Sequence, residues 1–418
     1  MWWLPSRGKA KSEVVRCECA LLRLDGRGDP PPREQMRYWR DYPTYPELLG
    51  RNFQSWKDRP RMGTDLRPCG YTVVTRGNPL DNETDGLLPY REAVTSAEPI
   101  APAQPPASHK IFFGKDGLRA GWSLLIFIAL FAGLIYGANV VGHKLYPPAP
   151  KTANASSEIS PLRGFIAEAV PFVVALLVTW TMSKIERRPN SVYGLGDRRK
   201  LRRFLAGLGW GVACLSLMVV TLWKTGLLVI DSRLLFGGNI LRYGGIWLVG
   251  FLLVGLLEEY LTRGYVQYTL ARGLAGFYEW AFKARHSKAL GFWTSAIILS
   301  TLFGLGHNSN AGESPIGLLS AGLASMIFCF SLWRTGSLWW AIGFHTSWDW
   351  AQSFLYGVAD SGTMVQHHLL ATHPVGKAIL SGGTTGPEGS ILIVAVIGLV
   401  SLIIFFTLPR TQYGEAAK

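Results

Sequence analysis

The sequence is poor in cysteine and carries neither of the common hydrolase signatures. Its five cysteines, Cys17, Cys19, Cys69, Cys214 and Cys329, lack zinc-ligand spacing, and two fall inside apolar runs. That argues against a disulfide framework and a cysteine-based metal site. Without a Gly-x-Ser-x-Gly elbow, a serine hydrolase of that type is not indicated. Nor is there a His-Glu-x-x-His helix of the zinc-peptidase kind. The first twenty residues have no charged segment leading into an apolar one, so no cleavable signal peptide is expected. Acids are in the minority, 28 against 42 Lys and Arg. The cations cluster between apolar runs, so the net charge of +14 reads as a topology signal and no nucleic-acid partner is expected.

What the chain does have is apolar length. With 48% hydrophobic residues and 16 Trp in 418 residues, it suits a polytopic membrane protein with soluble parts. Residues 1–108 are different: polar, rich in Arg, Pro and Gly, and closed by the Pro-rich stretch 99–106. They show no sustained period and are expected to form a mostly irregular, disordered extension. A small folded module and a natural start downstream, for instance at Met62, are the alternatives.

Residues 109–418 are expected to form an all-α, polytopic membrane helical bundle. A span needs ~20 mostly apolar residues. By that rule about eight transmembrane helices are read: 121–141, 164–182, 204–223, 240–259 with a helical extension, 291–306, 316–333, 337–356 and 390–408. The fifth is short, and the sixth and seventh are rich in small residues that permit close packing. The dense cations from Lys184 to Arg203, and those after the fourth, sixth and eighth spans, share one side if both termini are cytoplasmic. The basic loop should also lie on anionic headgroups.

Charged groups within spans are rare and costly, and they default to a functional reading. The first group is Glu258-Glu259-x-x-x-Arg263. Glu259 and Arg263 stand four apart and can neutralise each other. Glu258 points ~100° away and has no partner in the motif. Next come Phe303-x-x-x-His307 and His345-x-x-x-Asp349, with Gly304, Gly306 and Gly343 leaving room for close backbone approach. A carboxylate and an imidazole can together deprotonate water and later protonate a leaving amine. Other groups can donate to a developing oxyanion. The set suits a water-activating peptidase. A zinc site made of Glu258, His307 and His345 stays open. So does a transporter using Glu and His as a proton relay, although no internal repeat supports it.

These three motifs, in this order and each on an apolar run, resemble the CPBP family: the type II CAAX prenyl endopeptidases and their bacterial relatives, some linked to bacteriocin processing or self-immunity. The resemblance covers roughly residues 187–350, and Tyr193-Gly-Leu195 followed by Phe204-Leu-Ala-Gly207 looks like that family's entry into its core. The catalytic core is accordingly expected over about 187–356. The resemblance implies an intramembrane glutamate endopeptidase with no obligatory metal, acting on peptide or membrane-tethered protein substrates. Glu258 would be the general base. His307 would orient the water, Glu259 and Arg263 would support, and His345 with Asp349 would form the oxyanion site. Prenyl-protein proteases of eukaryotes and archaea carry Asn at the position of Asp349, while bacterial members carry Asn or Asp. An ionised Asp cannot donate, so Asp349 is either protonated or orients His345. The motif variant and the lack of an organelle-retention tail favour a bacterial plasma membrane. The alternative is a non-proteolytic protein of the same fold, in bacteriocin immunity or partner binding.

The span limits contain a conflict. They leave Glu258 and His307 near opposite ends of their helices, ~25 Å apart. Contact through one water then requires the fourth helix to continue to about Leu274, and the fifth to tilt or start late.

Overall fold

The computed structural model describes residues 111–114, 117–145 and 158–409. The expected extension, 1–108, lies outside them. Nine helices organise the described part: α1 (Ala120–Leu145), α2 (Pro161–Glu186), α3 (Lys200–Lys224), α4 (Gly238–Glu259), α5 (Gln267–Phe282), α6 (Ser287–Gly306), α7 (Pro315–Thr335), α8 (Trp339–Trp350) and α9 (Ile393–Thr407). A two-stranded antiparallel sheet, β1 (Leu228–Arg233) with β2 (Leu370–Pro374), ties the loop after α3 to the loop before α9.

Six of these helices, not eight, are long and apolar enough to cross a membrane, and the protein is a polytopic membrane protein. The expectation of eight fails at the last two runs. α8 is short because its Trp, Ser, His and Asp content suits it to protein neighbours, not to lipid. Trp340, Ala341, Ile342 and Thr346 are wholly buried, so this helix is the core of the bundle. The eighth run follows a Gly- and Pro-rich segment of short 3-10 turns, and its helix, Ile393–Thr407, is only 15 residues long.

α4 does not end at the acidic motif. A π-helical turn, Tyr260–Val266, carries it into α5, giving one helix of 45 residues from Gly238 to Phe282. At 1.5 Å per residue it is about 67 Å long, more than twice a bilayer core of ~30 Å. Its far end bears exposed Phe277, Trp280 and Phe282, amphipathic or large rings of the kind that sit at an interface. α6 packs back along α5. Glu258 and His307 each lie roughly six turns from the hairpin between α5 and α6, so the two are level. The extension runs past Leu274, the point expected from sequence. The fifth span, far from starting late, begins at Ser287.

α8 is held from two directions. Its start docks on Tyr193-Gly-Leu195: Leu338 N donates to Gly194 O (3.0 Å) and Trp339 Nε1 to Leu195 O (3.1 Å). Gly194 has φ +88, a backbone that favours glycine. Along its length α8 crosses α3 at backbone contact. A Cβ at Gly207 would overlap the Trp340 carbonyl, and one at Gly343 would overlap the Phe204 carbonyl. Such small-residue crossings are how membrane helices approach closely.

Candidate active site

The buried pair comes first. Glu259 and Arg263 are each almost fully buried, with Oε1 and Nη1 2.6 Å apart. A salt bridge at this depth must offset a large desolvation cost. Further compensation comes from aromatic faces: the guanidinium lies 4.6 Å from the Phe303 ring centroid and 5.4 Å from that of Phe328. Phe303, one turn before His307, thus covers Arg263 on one side and packs on the His307 ring on the other (4.9 Å).

The spare acid follows from helix geometry. Glu258 keeps 29% of its side chain exposed while Glu259 keeps none. The π turn begins immediately after this pair, and the Thr262 hydroxyl donates to the Glu258 carbonyl within it. π turns are frequent at functional sites because they re-aim side chains. A second one, Ala351–Leu355, follows Asp349 and Trp350 at the end of α8.

His345 joins the two motifs. Its Nδ1 lies 3.0 Å from Glu259 Oε1. The Glu259 carboxylate, which also accepts from Arg263, can only accept, so Nδ1 carries the proton. Nε2 then points at Glu258 Oε2 (3.7 Å) and Asp349 Oδ2 (3.5 Å). The ring also stacks on Phe328 (5.4 Å). Five of the six sequence-selected residues, Glu258, Glu259, Arg263, His345 and Asp349, are therefore one connected cluster.

His307 stands across from it. It caps α6, and its Nδ1 is 2.8 Å from the Phe303 carbonyl, so Nδ1 is the donor and Nε2 is left as an acceptor. His307 shares a cavity of about 600 Å³ with Glu258, His345 and Asp349. Its ring nitrogens are in no ion pair with Glu258. Among the described residues no group of three or more His, Cys, Asp or Glu converges as a metal site. Glu258, His307 and His345 do not form such a group.

Three further carboxylates line this cavity, and sequence reasoning did not select them: Glu168, Asp360 and Glu388. Glu168 sits inside an apolar helix, and its intramembrane charge was the signal that could have found it. Asp360 and Glu388 lie in irregular segments without period, so nothing marked them. Asp360 accepts from Ser353 Oγ (3.2 Å). Glu388 accepts from Trp348 Nε1 (2.9 Å) and Ser361 Oγ (3.1 Å). Burial, with Asp349 and Glu388 adding to it, pushes the Asp360 carboxyl well above its ordinary range. Gly306 faces open space, so it does not serve the close approach expected of it, whereas Gly304 meets the Leu318 carbonyl.

Residues 240–351 match the model of the family described as type II CAAX prenyl endopeptidase Rce1-like. That match holds the whole connected cluster and His307. Comparison with curated proteins and with solved structures gives no match.

Proposed function

From the premise that this chain carries a Rce1-like, CPBP-family domain over residues 240–351, we propose that it is an intramembrane, metal-independent glutamate endopeptidase. Its substrates would be membrane-associated peptides. The observation that carries the reading is the junction at His345. One nitrogen is fixed on the buried Glu259, and the other faces the two cavity carboxylates Glu258 and Asp349.

The chemistry runs as follows. Glu258 takes a proton from a water held between it and His307, whose Nε2 can accept a hydrogen bond from that water. The water oxygen attacks the peptide carbonyl. With a proton on Nε2, His345 donates to the oxyanion, and Asp349 holds that proton in place. Glu258 then delivers its proton to the leaving amine, restoring the carboxylate. Glu259 and Arg263 hold His345 and do not touch substrate.

The cations between Lys184 and Arg203 support a cytoplasmic position for that loop and for both termini. The Asp at position 349 fits a bacterial plasma membrane.

The test compares peptides from membranes bearing wild type with those from membranes bearing Glu258→Gln, at matched protein levels. Loss of specific products in the variant is expected. Identical profiles would leave the protein as a binding or immunity factor of the same fold.

A further inference from the structure

The ionisable lining of the cavity is mostly acidic. Five carboxylates line it, from Glu168, Glu258, Asp349, Asp360 and Glu388, with two imidazoles. Among the described residues no Lys or Arg lines it. Arg263 sits behind the wall, already neutralised by Glu259.

The acids at the far end are held by neutral donors. Glu388 has both oxygens fixed, on the indole of Trp348 and the hydroxyl of Ser361. Asp360 is held by Ser353. Among the described residues neither is in an ion pair with Lys or Arg. Asp349 is 5% exposed and is paired with an imidazole. Its polar neighbour is His345 Nε2, 3.5 Å away. A carboxylate enclosed without a counter-charge is costly; Asp360 avoids that cost by keeping its proton, which a cation from outside can displace. The remaining wall is apolar, including Trp247, Phe251, Ile393, Val396 and Val400.

The polar row has a measurable length. His345, Asp349 and Ser353 succeed one another along one helix face, and Ser353 reaches Asp360. From His345 to Ser353 the rise is ~12 Å. An extended peptide covers that in about three to four residues at ~3.3 Å each.

We infer that the cavity selects peptides carrying a Lys or Arg side chain about three to four residues from the bond that is cut, received by Glu388 and Asp360. The inference rests on the peptidase reading for the position of the bond, and on the cavity alone for the charge. It also disfavours anchoring through a substrate's terminal carboxylate, which no cation in the cavity could hold.

The test uses one apolar, quenched fluorogenic peptide frame with Lys, norleucine or Glu placed in turn at each position. Purified full-length protein in proteoliposomes is the enzyme. At one position, about three or four from the cut, Lys should raise kcat/KM at least about tenfold over norleucine, and Glu should lower it. Glu388→Gln and Asp360→Asn should each bring the Lys-to-norleucine ratio toward one, through KM. Equal rates for the Lys and norleucine peptides overturn the inference. So does a ratio unchanged in the folded variants. If Glu388→Gln does not accumulate, Asp360→Asn carries the variant arm, and the peptide comparison needs neither.

Binding separates this inference from the peptidase reading. The same peptides are titrated onto Glu258→Gln by fluorescence anisotropy. If wild type cuts nothing while the Lys peptide binds at least about tenfold tighter, the peptidase reading falls and the cation site stands. Equal binding overturns the cation site, whatever the activity.

Discussion

His345 donates from Nδ1 to Glu259 Oε1 across 3.0 Å, onto the same oxygen that receives Arg263 at 2.6 Å. One buried acid thus serves a guanidinium on its own helix and an imidazole on another. The other oxygen, Oε2, is buried without a hydrogen-bond partner among the described residues. The ring orientation that aims Nε2 at Glu258 and Asp349 therefore depends on Glu259.

The two adjacent acids should fail in different ways. Glu259→Gln leaves Arg263 buried without its counter-charge, a loss of about 3–5 kcal/mol. The variant should melt at clearly lower temperature in detergent and accumulate poorly. Glu258→Gln breaks no buried pair, so its melting should match wild type while peptide turnover is lost. Equal melting of the two variants would remove the division of labour between them.

The two imidazoles should also separate. His345→Ala removes the ring that joins Glu258, Glu259 and Asp349, and it should cost both stability and ~10²–10⁴ in kcat. His307→Ala removes a ring whose hydrogen bond goes to its own helix, at Phe303. It should leave the melting temperature nearly unchanged and lower kcat by a similar factor. Full activity in folded His307→Ala would place the water without its help.

Much of this site could be read from spacing alone. Pairs four apart on a helix share a face, so Glu259–Arg263, Phe303–His307 and His345–Asp349 were visible as units. Depth was harder to read. A hydropathy limit drawn at Glu259 marks where the apolar run stops, yet the helix continues because its polar residues are buried by protein and not by lipid. The same rule hid the character of α8, whose Trp340 and Thr346 are enclosed by neighbouring helices. Glu388 and Asp360 reach the cavity through long-range closure of irregular segments, and local pattern carries no trace of that. Gly343 was expected to allow a close backbone approach, and Gly207 stood in the stretch leading into the core, but neither named the other as its partner. Their reciprocal fit needed the two helices placed together.

Acidity should stabilise the region around Asp360. Its carboxyl is held above its ordinary range by burial first, then by Asp349 and Glu388. The native state therefore keeps a proton that the unfolded chain gives up. That contribution is complete below the ordinary carboxylate range and is lost as pH rises through the folded value. Asp360→Asn lacks the titration. Its melting temperature should fall less steeply with rising pH than that of wild type, measured in one detergent from mildly acidic to alkaline buffer. Parallel curves would show that the proton is not held there.

The α3–α8 crossing makes a prediction that links packing to rate. At Gly343 even one methyl group would overlap the Phe204 carbonyl, and backbone cannot swing aside as a side chain can. Gly343→Ala must push α8 away from α3, at a cost of about 1–3 kcal/mol for overpacking. His345 lies two residues further on, so the shift displaces Nε2 from Glu258. A displacement of ~1 Å is enough to lower turnover by ~10²-fold. Gly209→Ala, on a part of α3 where the added methyl meets open space, is the control. It should melt no lower than wild type, since Ala favours helix over Gly by about 1 kcal/mol. It should also keep full turnover. If Gly343→Ala matches this control in both melting and turnover, the contact between the two backbones does not set the position of His345.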